Sequence, residues 1–106
     1  MLIATTETIA GHDITQTLGL VRGNTIRARH VGRDITAALR NLVGGEVTEY
    51  TKMVAESREQ ALDRMVVEAE SLGADAVVAV RFTTSVITSG AAELLAVGTA
   101  VKLQRR

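Results

Sequence analysis

Two segments near the C-terminal end constrain the fold most. Residues 76–82 read Ala-Val-Val-Ala-Val-Arg-Phe, and residues 93–103 read Glu-Leu-Leu-Ala-Val-Gly-Thr-Ala-Val-Lys-Leu. Side chains alternate between the two faces of a strand. A strand wetted on one face therefore alternates apolar with polar residues. These segments do not: Val77 and Ala79 oppose Val78 and Val80, and Leu94, Ala96 and Ala100 oppose Leu95, Val97 and Val101. One face must meet helices. The other is apolar as well, and a chain of 106 residues is long enough for one domain only, placed here at residues 1–106.

The rest of the chain supplies the covering layer. Residues 2–5 predict a short edge strand, and residues 6–15 a strand end and a turn around Gly11. From Gln16 to Val31 the pattern is extended, with Leu18 and Leu20 on one face and Thr17, Gly19 and Val21 on the other. Gly23-Asn24 interrupts that run as a hairpin turn or as a bulge in one long strand; Gly-Asn is the weaker hairpin signal, which favours the bent strand. Arg33 to Val43 switches to helical spacing through Ile35, Ala38, Leu39 and Leu42, with Asp34 as its cap and Gly44-Gly45 as its stop.

A long helix is predicted over 46–72, about 40 Å at 1.5 Å per residue. Tyr50, Val54, Ala61, Met65, Ala69 and Leu72 trace its apolar stripe, widened by Leu62 and Val66, while Glu56, Glu59, Asp63, Arg64, Glu68 and Glu70 supply the wet side. Gly73 ends it. The two apolar strands follow, joined antiparallel through a Thr/Ser-rich connector over 83–92 with Gly90 at its turn. The fold class is therefore α+β: a two-layer β-α-β-β subunit with an antiparallel sheet, one short helix and one long helix.

A lone two-layer domain leaves the second apolar face in water. Covering about 600 Å² of it at about 25 cal/mol per Å² is a gross gain of about 15 kcal/mol before association costs. The expectation is a homo-oligomer with its sheets turned toward a shared core. The opposing expectation is that twisted strands hide these residues beneath the chain's own loops.

Several chemistries are excluded or unsupported. There is no cysteine, so zinc-finger, iron–sulfur and thiol chemistry are absent. Twelve basic residues balance twelve acidic ones, which leaves no global field to draw nucleic acid or anionic membrane. No apolar run approaches the length of a membrane span. The opening Met-Leu-Ile-Ala-Thr-Thr-Glu lacks the basic start and long apolar core of a secretion signal, so a cytoplasmic location is expected.

The motifs, taken together, carry a resemblance. Leu18-Gly19-Leu20-Val21-Arg22-Gly23, Gly44-Gly45-Glu46, Tyr50-Thr51, Ser57-Arg58-Glu59-Gln60-Ala61, Leu72-Gly73-Ala74-Asp75-Ala76-Val77-Val78 and Gly98-Thr99-Ala100-Val101 follow one another over nearly the whole chain. In this the chain resembles the YbjQ-like family of small uncharacterised bacterial and archaeal proteins, which bears a heavy-metal-binding label. The resemblance implies a dodecin-like subunit and a ring-shaped pentamer, and it implies no known activity.

Candidate site residues are few. For a metal ion, the possible cofactor, the ligands available are His12, Asp13, His30, Asp34 and the carboxylates of the long helix; His30 with Asp34 is the pair retained, although neither pair has a recognised metal spacing. Gly44-Gly45 before a helix start suggests an anion cradle, but the lysine of a phosphate loop is missing and Glu46 occupies the favourable position. Arg58 falls near the apolar stripe, so it needs a carboxylate partner, on its own or a neighbouring subunit, or an anionic ligand. Tyr50 and Glu46 join it as candidates for a ligand site or an inter-subunit ion pair. Arg22, Arg27, Arg29, Arg33 and Arg40 form a basic stretch that would line a ring, and Lys102, Arg105 and Arg106 a solubilising tail. No nucleophile–histidine arrangement exists. The leading expectation is a non-enzymatic cytoplasmic homo-oligomer holding a small ligand or ion between subunits. The alternatives are a metal-binding protein using His and carboxylate ligands, and an enzyme with an inter-subunit site.

Overall fold

The computed structural model describes residues 1–27, 48–88 and 91–106. Its elements run β1 (Leu2–Ile3), β2 (His12–Arg27), α1 (Thr48–Ser71), β3 (Ala76–Thr88) and β4 (Ala91–Arg105). The sheet order is β1-β3-β4-β2, with β1 parallel to β3 and the other pairs antiparallel. The sheet is thus mixed, and its order along the chain is ββαββ rather than the expected β-α-β-β. The expected short helix at 33–43 lies outside the described residues.

Three strands are far longer than the usual five or six residues. The connector expected over 83–92 is largely strand. Thr83, Thr84, Val86, Ile87 and Thr88 are β-branched types, which suit a pleated surface whatever their polarity. Lys102 lies in β4 as expected, and the strand runs on through Arg105 into the expected solubilising tail. With β2 and β4 paired from His12–Arg105 to Arg27–Ala92, the subunit is a slab of 55 × 27 × 16 Å. Its thinnest dimension holds one sheet and one helix layer.

Helix α1 lies along β2 and β4 on one face of the sheet. Ser57, Ala61, Met65 and Ala69 are its buried positions, spaced four apart, and Val21, Val77, Val80, Ala96 and Ala100 face them from the sheet. Val54 is only half-buried and Leu72 is exposed, so the predicted stripe holds in its middle and fails at the ends. The helix ends at Gly73, whose φ of 77° suits glycine. Gly73 N donates to Glu70 O at 3.0 Å and Ala74 N to Ala69 O at 3.1 Å, the paired bonds of a Schellman stop. Ala74 packs onto the core beside it.

Gly23 is neither bulge nor turn. It is fully covered because α1 crosses directly above it: a Cβ there would overlap the Ala61 carbonyl and Met65 nitrogen and reach 2.8 Å from Arg64 Cβ. The bends in β2 fall elsewhere, between Ile14 and Gln16 and between Thr17 and Gly19. The second bulge separates Leu18, which packs on the helix side, from Leu20, which is 63% exposed on the other face. The expected pairing of these two leucines is therefore overturned by one extra residue.

A third irregularity sits between Val78 and Arg81 in β3, where Ala79 has φ 53°. It places Val77 and Val80 together on the helix side and leaves Val78 opposite. The chain's N-terminal segment secures this break. Val80 N donates to Ala4 O at 3.0 Å and Ala79 N to Thr6 O at 2.8 Å.

Candidate functional site

The face of the sheet away from α1 divides into two halves. At one end Ala76, Val78 and Val101 form a second small core, closed by Leu103 and by Ile9 from the loop after β1. There the chain does cover itself with its own loop. At the other end the strands continue with no described residue packed over them.

Cross-strand register sets four rows on this open half, since residues directly opposite share a face. They are Leu20–Thr99–Val78, whose Val78 end belongs to the closed core, then Arg22–Val97–Arg81, Asn24–Leu95–Thr83 and Ile26–Glu93–Ser85. Leu20 and Ile26 are 63% and 58% exposed, and Val97 and Leu95 are half-buried between their neighbours. Asn24 Nδ2 donates to Glu93 Oε2 at 3.0 Å, which occupies the one acidic residue of the four rows.

Arg81 is the anchored cation of the surface. Its Nη1 donates to Thr5 O and to Val80 O, each at 2.8 Å. Two carbonyl acceptors orient the guanidinium, and among the described residues the Nε and Nη2 edge has no partner. Arg22, across Val97, makes no ion pair or side-chain hydrogen bond among the described residues. The described ion pair is Asp13 with Arg106, at 2.8 Å, at the far end of the sheet.

The predicted site residues are not brought together. His12 Nδ1 donates to Ala10 O at 3.1 Å, while Asp13 binds Arg106, so these neighbours serve the turn and the strand end. Among the described residues no three His, Asp or Glu side chains gather as a metal site would require. His30, Asp34 and Glu46, and the side chain of Tyr50, lie outside the described residues, as does Gly44-Gly45. Arg58 is exposed, because Ser57 takes the buried position of that turn. The buried guanidinium feared from the stripe does not exist. The neighbouring Glu56, Glu59 and Asp63 are exposed too.

Arg22 belongs to the predicted basic stretch, but Arg81 was not expected at a site. Its signal in the sequence is a guanidinium within the otherwise apolar run 76–82. What the sequence did not carry is the register that sets it opposite Val97. No helix among the described residues is long and apolar enough to cross a membrane.

A family model described as "Putative heavy-metal-binding" matches residues 1–104. A "UPF0145 protein" of Methanosarcina acetivorans is 62% identical over 106 residues, covering all of both chains. Another, from Halorubrum lacusprofundi, is 61% identical over 104 residues, covering 98% of this chain and all of its own. Among solved structures, a protein of unknown function of the DUF74 family from Pediococcus pentosaceus aligns with a TM-score of 0.64 at 17% identity, covering 98% of each chain. That likeness concerns the fold alone.

Proposed function

The chain belongs to the YbjQ-like family, and on that premise we propose that it is a non-enzymatic, cytoplasmic homo-oligomer whose packed copies enclose a site for a small ligand or ion. By the family likeness the assembly is a pentameric ring. One observation carries this reading: half of the sheet's second face is left uncovered by the described residues and bears Leu20 and Ile26 at 63% and 58% exposure.

Size and shape support it. The chain exposes 7102 Å², against about 5,700 Å² for a monomer of this mass by surface scaling. Its radius of gyration is 17.2 Å, against about 13 Å for a compact domain of this length. Both excesses are what an incomplete unit of an assembly presents. The strand edges add to them. Beyond Val80 no described strand pairs with the outer edge of β3, and none pairs with the outer edge of β2. Unpaired edges of this length invite pairing with another chain.

Native mass spectrometry of the full chain tests the reading. A single multiple of the 11.3 kDa subunit is expected, five by the family likeness, with any retained small molecule read as added mass. A monomer across the micromolar range overturns it.

A metal-binding role is the second reading, favoured by the description of the family model. It requires His30 and Asp34, or ligands drawn from several copies. Elemental analysis of tag-free protein decides it: near-stoichiometric metal supports the role, and none removes it.

A further inference from the structure

We propose that residues Ala4–Thr6 are a latch that selects the register of β3. Docked, they hold the bulge at Ala79. Released, they let residues 81–85 exchange faces of the sheet.

The bonds of Ala4 carry this. Its N donates to Val77 O at 2.9 Å, and its O accepts from Val80 N at 3.0 Å. In a regular parallel pair, one residue bonds to two residues that lie two apart on the neighbouring strand. Val77 and Val80 are three apart, so Ala4 spans one residue more than a regular ladder holds. Beside it, Ala79 N donates to Thr6 O at 2.8 Å. Successive N–H groups of a strand point to opposite edges, yet Ala79 and Val80 both donate toward the N-terminal segment. The left-handed Ala79, at φ 53°, turns the two donors to one side. Arg81 Nη1 adds a bond to Thr5 O. The segment thus bonds differently to bulged and to regular β3, which is what a selector of two states requires.

The two states have opposing costs. The bulge holds an alanine in a conformation that favours glycine. In return it sets Val80, 2% exposed, beside Val77 in the core under α1. Gly98 leaves room for both valines, since a Cβ there would lie 2.5 Å from Val77 Cγ1 and 3.2 Å from Val80 Cγ2. Without the bulge Ala79 relaxes, Val80 leaves that core, and Phe82, now opposite Ala96, stands opposite Leu95 on the open half in place of Thr83. The latch is lightly held. Met1, Leu2 and Ile3 are each more than 40% exposed, β1 is two residues long, and Ile9 anchors only the far end of the segment.

Nuclear magnetic resonance of the full-length chain tests this, because Phe82 is its one phenylalanine and a clean reporter of register. In the parent the ring is expected to contact the Ala96 methyl, and the Ala4, Ala79 and Val80 amides to exchange hydrogen as one unit before global unfolding. Ala4→Pro removes the Ala4 donor. It should speed exchange at Ala79 and Val80 about tenfold, the loss of one hydrogen bond, and bring Phe82 contacts to Leu95. Adding Ala79→Gly, which relieves the left-handed strain, should restore the parent pattern. An Ala4→Pro chain with the parent's Phe82 contacts and Val80 protection overturns the latch. So do parent Ala79 and Val80 amides that exchange only with global unfolding, a result that needs no variant to fold. Native mass separates the latch from the assembly: a monomeric parent with the expected exchange and contacts upholds the latch and refutes the oligomer.

Discussion

Gly23 of β2 lies directly under Ala61 of α1, so close that the helix backbone occupies the space of a side chain. The contact sets the distance between the two layers. It also positions Arg22 and Asn24, one residue either side, on the far face of the sheet.

Gly23→Ala is therefore expected to destabilise the subunit by about 3 kcal/mol, because the obstacle is backbone and cannot rotate away. Gly98→Ala meets mainly the Val77 side chain, at 2.5 Å, and is expected to cost less. Denaturant midpoints of the two variants measure the difference, and equal costs would refute this account of the layer spacing.

Met65 is fully buried beneath the centre of the helix. Met65→Ala should cost about 2–5 kcal/mol through lost burial and the cavity left behind. Val67 is 67% exposed on the same helix, so Val67→Thr should change the same midpoint by less than about 0.5 kcal/mol.

Gly73 closes the helix in the left-handed region. Replacing it by alanine forces a Cβ into that conformation and should cost about 1–2 kcal/mol, although the nearest atom, Lys102 Nζ, is 3.8 Å away. Urea unfolding monitored by circular dichroism reads this penalty, which is one of conformation and not of crowding.

Leu20→Glu places a charge on the open half of the sheet. In an isolated subunit that position is already wet, so the fold should survive with an unchanged circular dichroism spectrum. In the assembly it should be excluded, and light scattering should report the mass of a single chain. A variant that keeps the parent's oligomeric mass would show that the open half is not the interface.

The Asp13–Arg106 pair joins the first residues of β2 to the chain end, with both side chains more than 60% exposed. Asp13→Asn should alter stability by less than about 1 kcal/mol, and added salt should shrink even that. Thermal midpoints at low and high ionic strength provide the check.

Local signals carried much of this fold. Ala61, Met65 and Ala69 recur at helical spacing, and Gly73 follows where a helix must stop. The apolar runs around Val77 and Val97 announced two strands with two greasy sides, and Gly11 announced a turn. Each of these rests on interactions within a few residues, which a sequence states directly. The candidate site was less legible. Arg58 beside a buried serine, and His12 beside Asp13, drew attention by type and spacing, yet neither pair is gathered into a site by the fold.

What the chain's letters determined by themselves is the alternation of element types, the helix and its end, and an excess of apolar strand surface. What only the tertiary structure decided is which face each strand residue occupies. Four register breaks among the described strands, two in β2 and two in β3, at Ala79 and between Val86 and Thr88, each shift the parity of everything beyond them. A bulge is chosen by the pairing of distant strands and by the segment docked on the edge, here Ala4 and Thr6 against Val80 and Ala79. Periodicity counts residues along one strand and has no access to that choice. The same long-range pairing set Arg22 and Arg81 on either side of Val97, residues 59 positions apart in the chain and two strands apart in space.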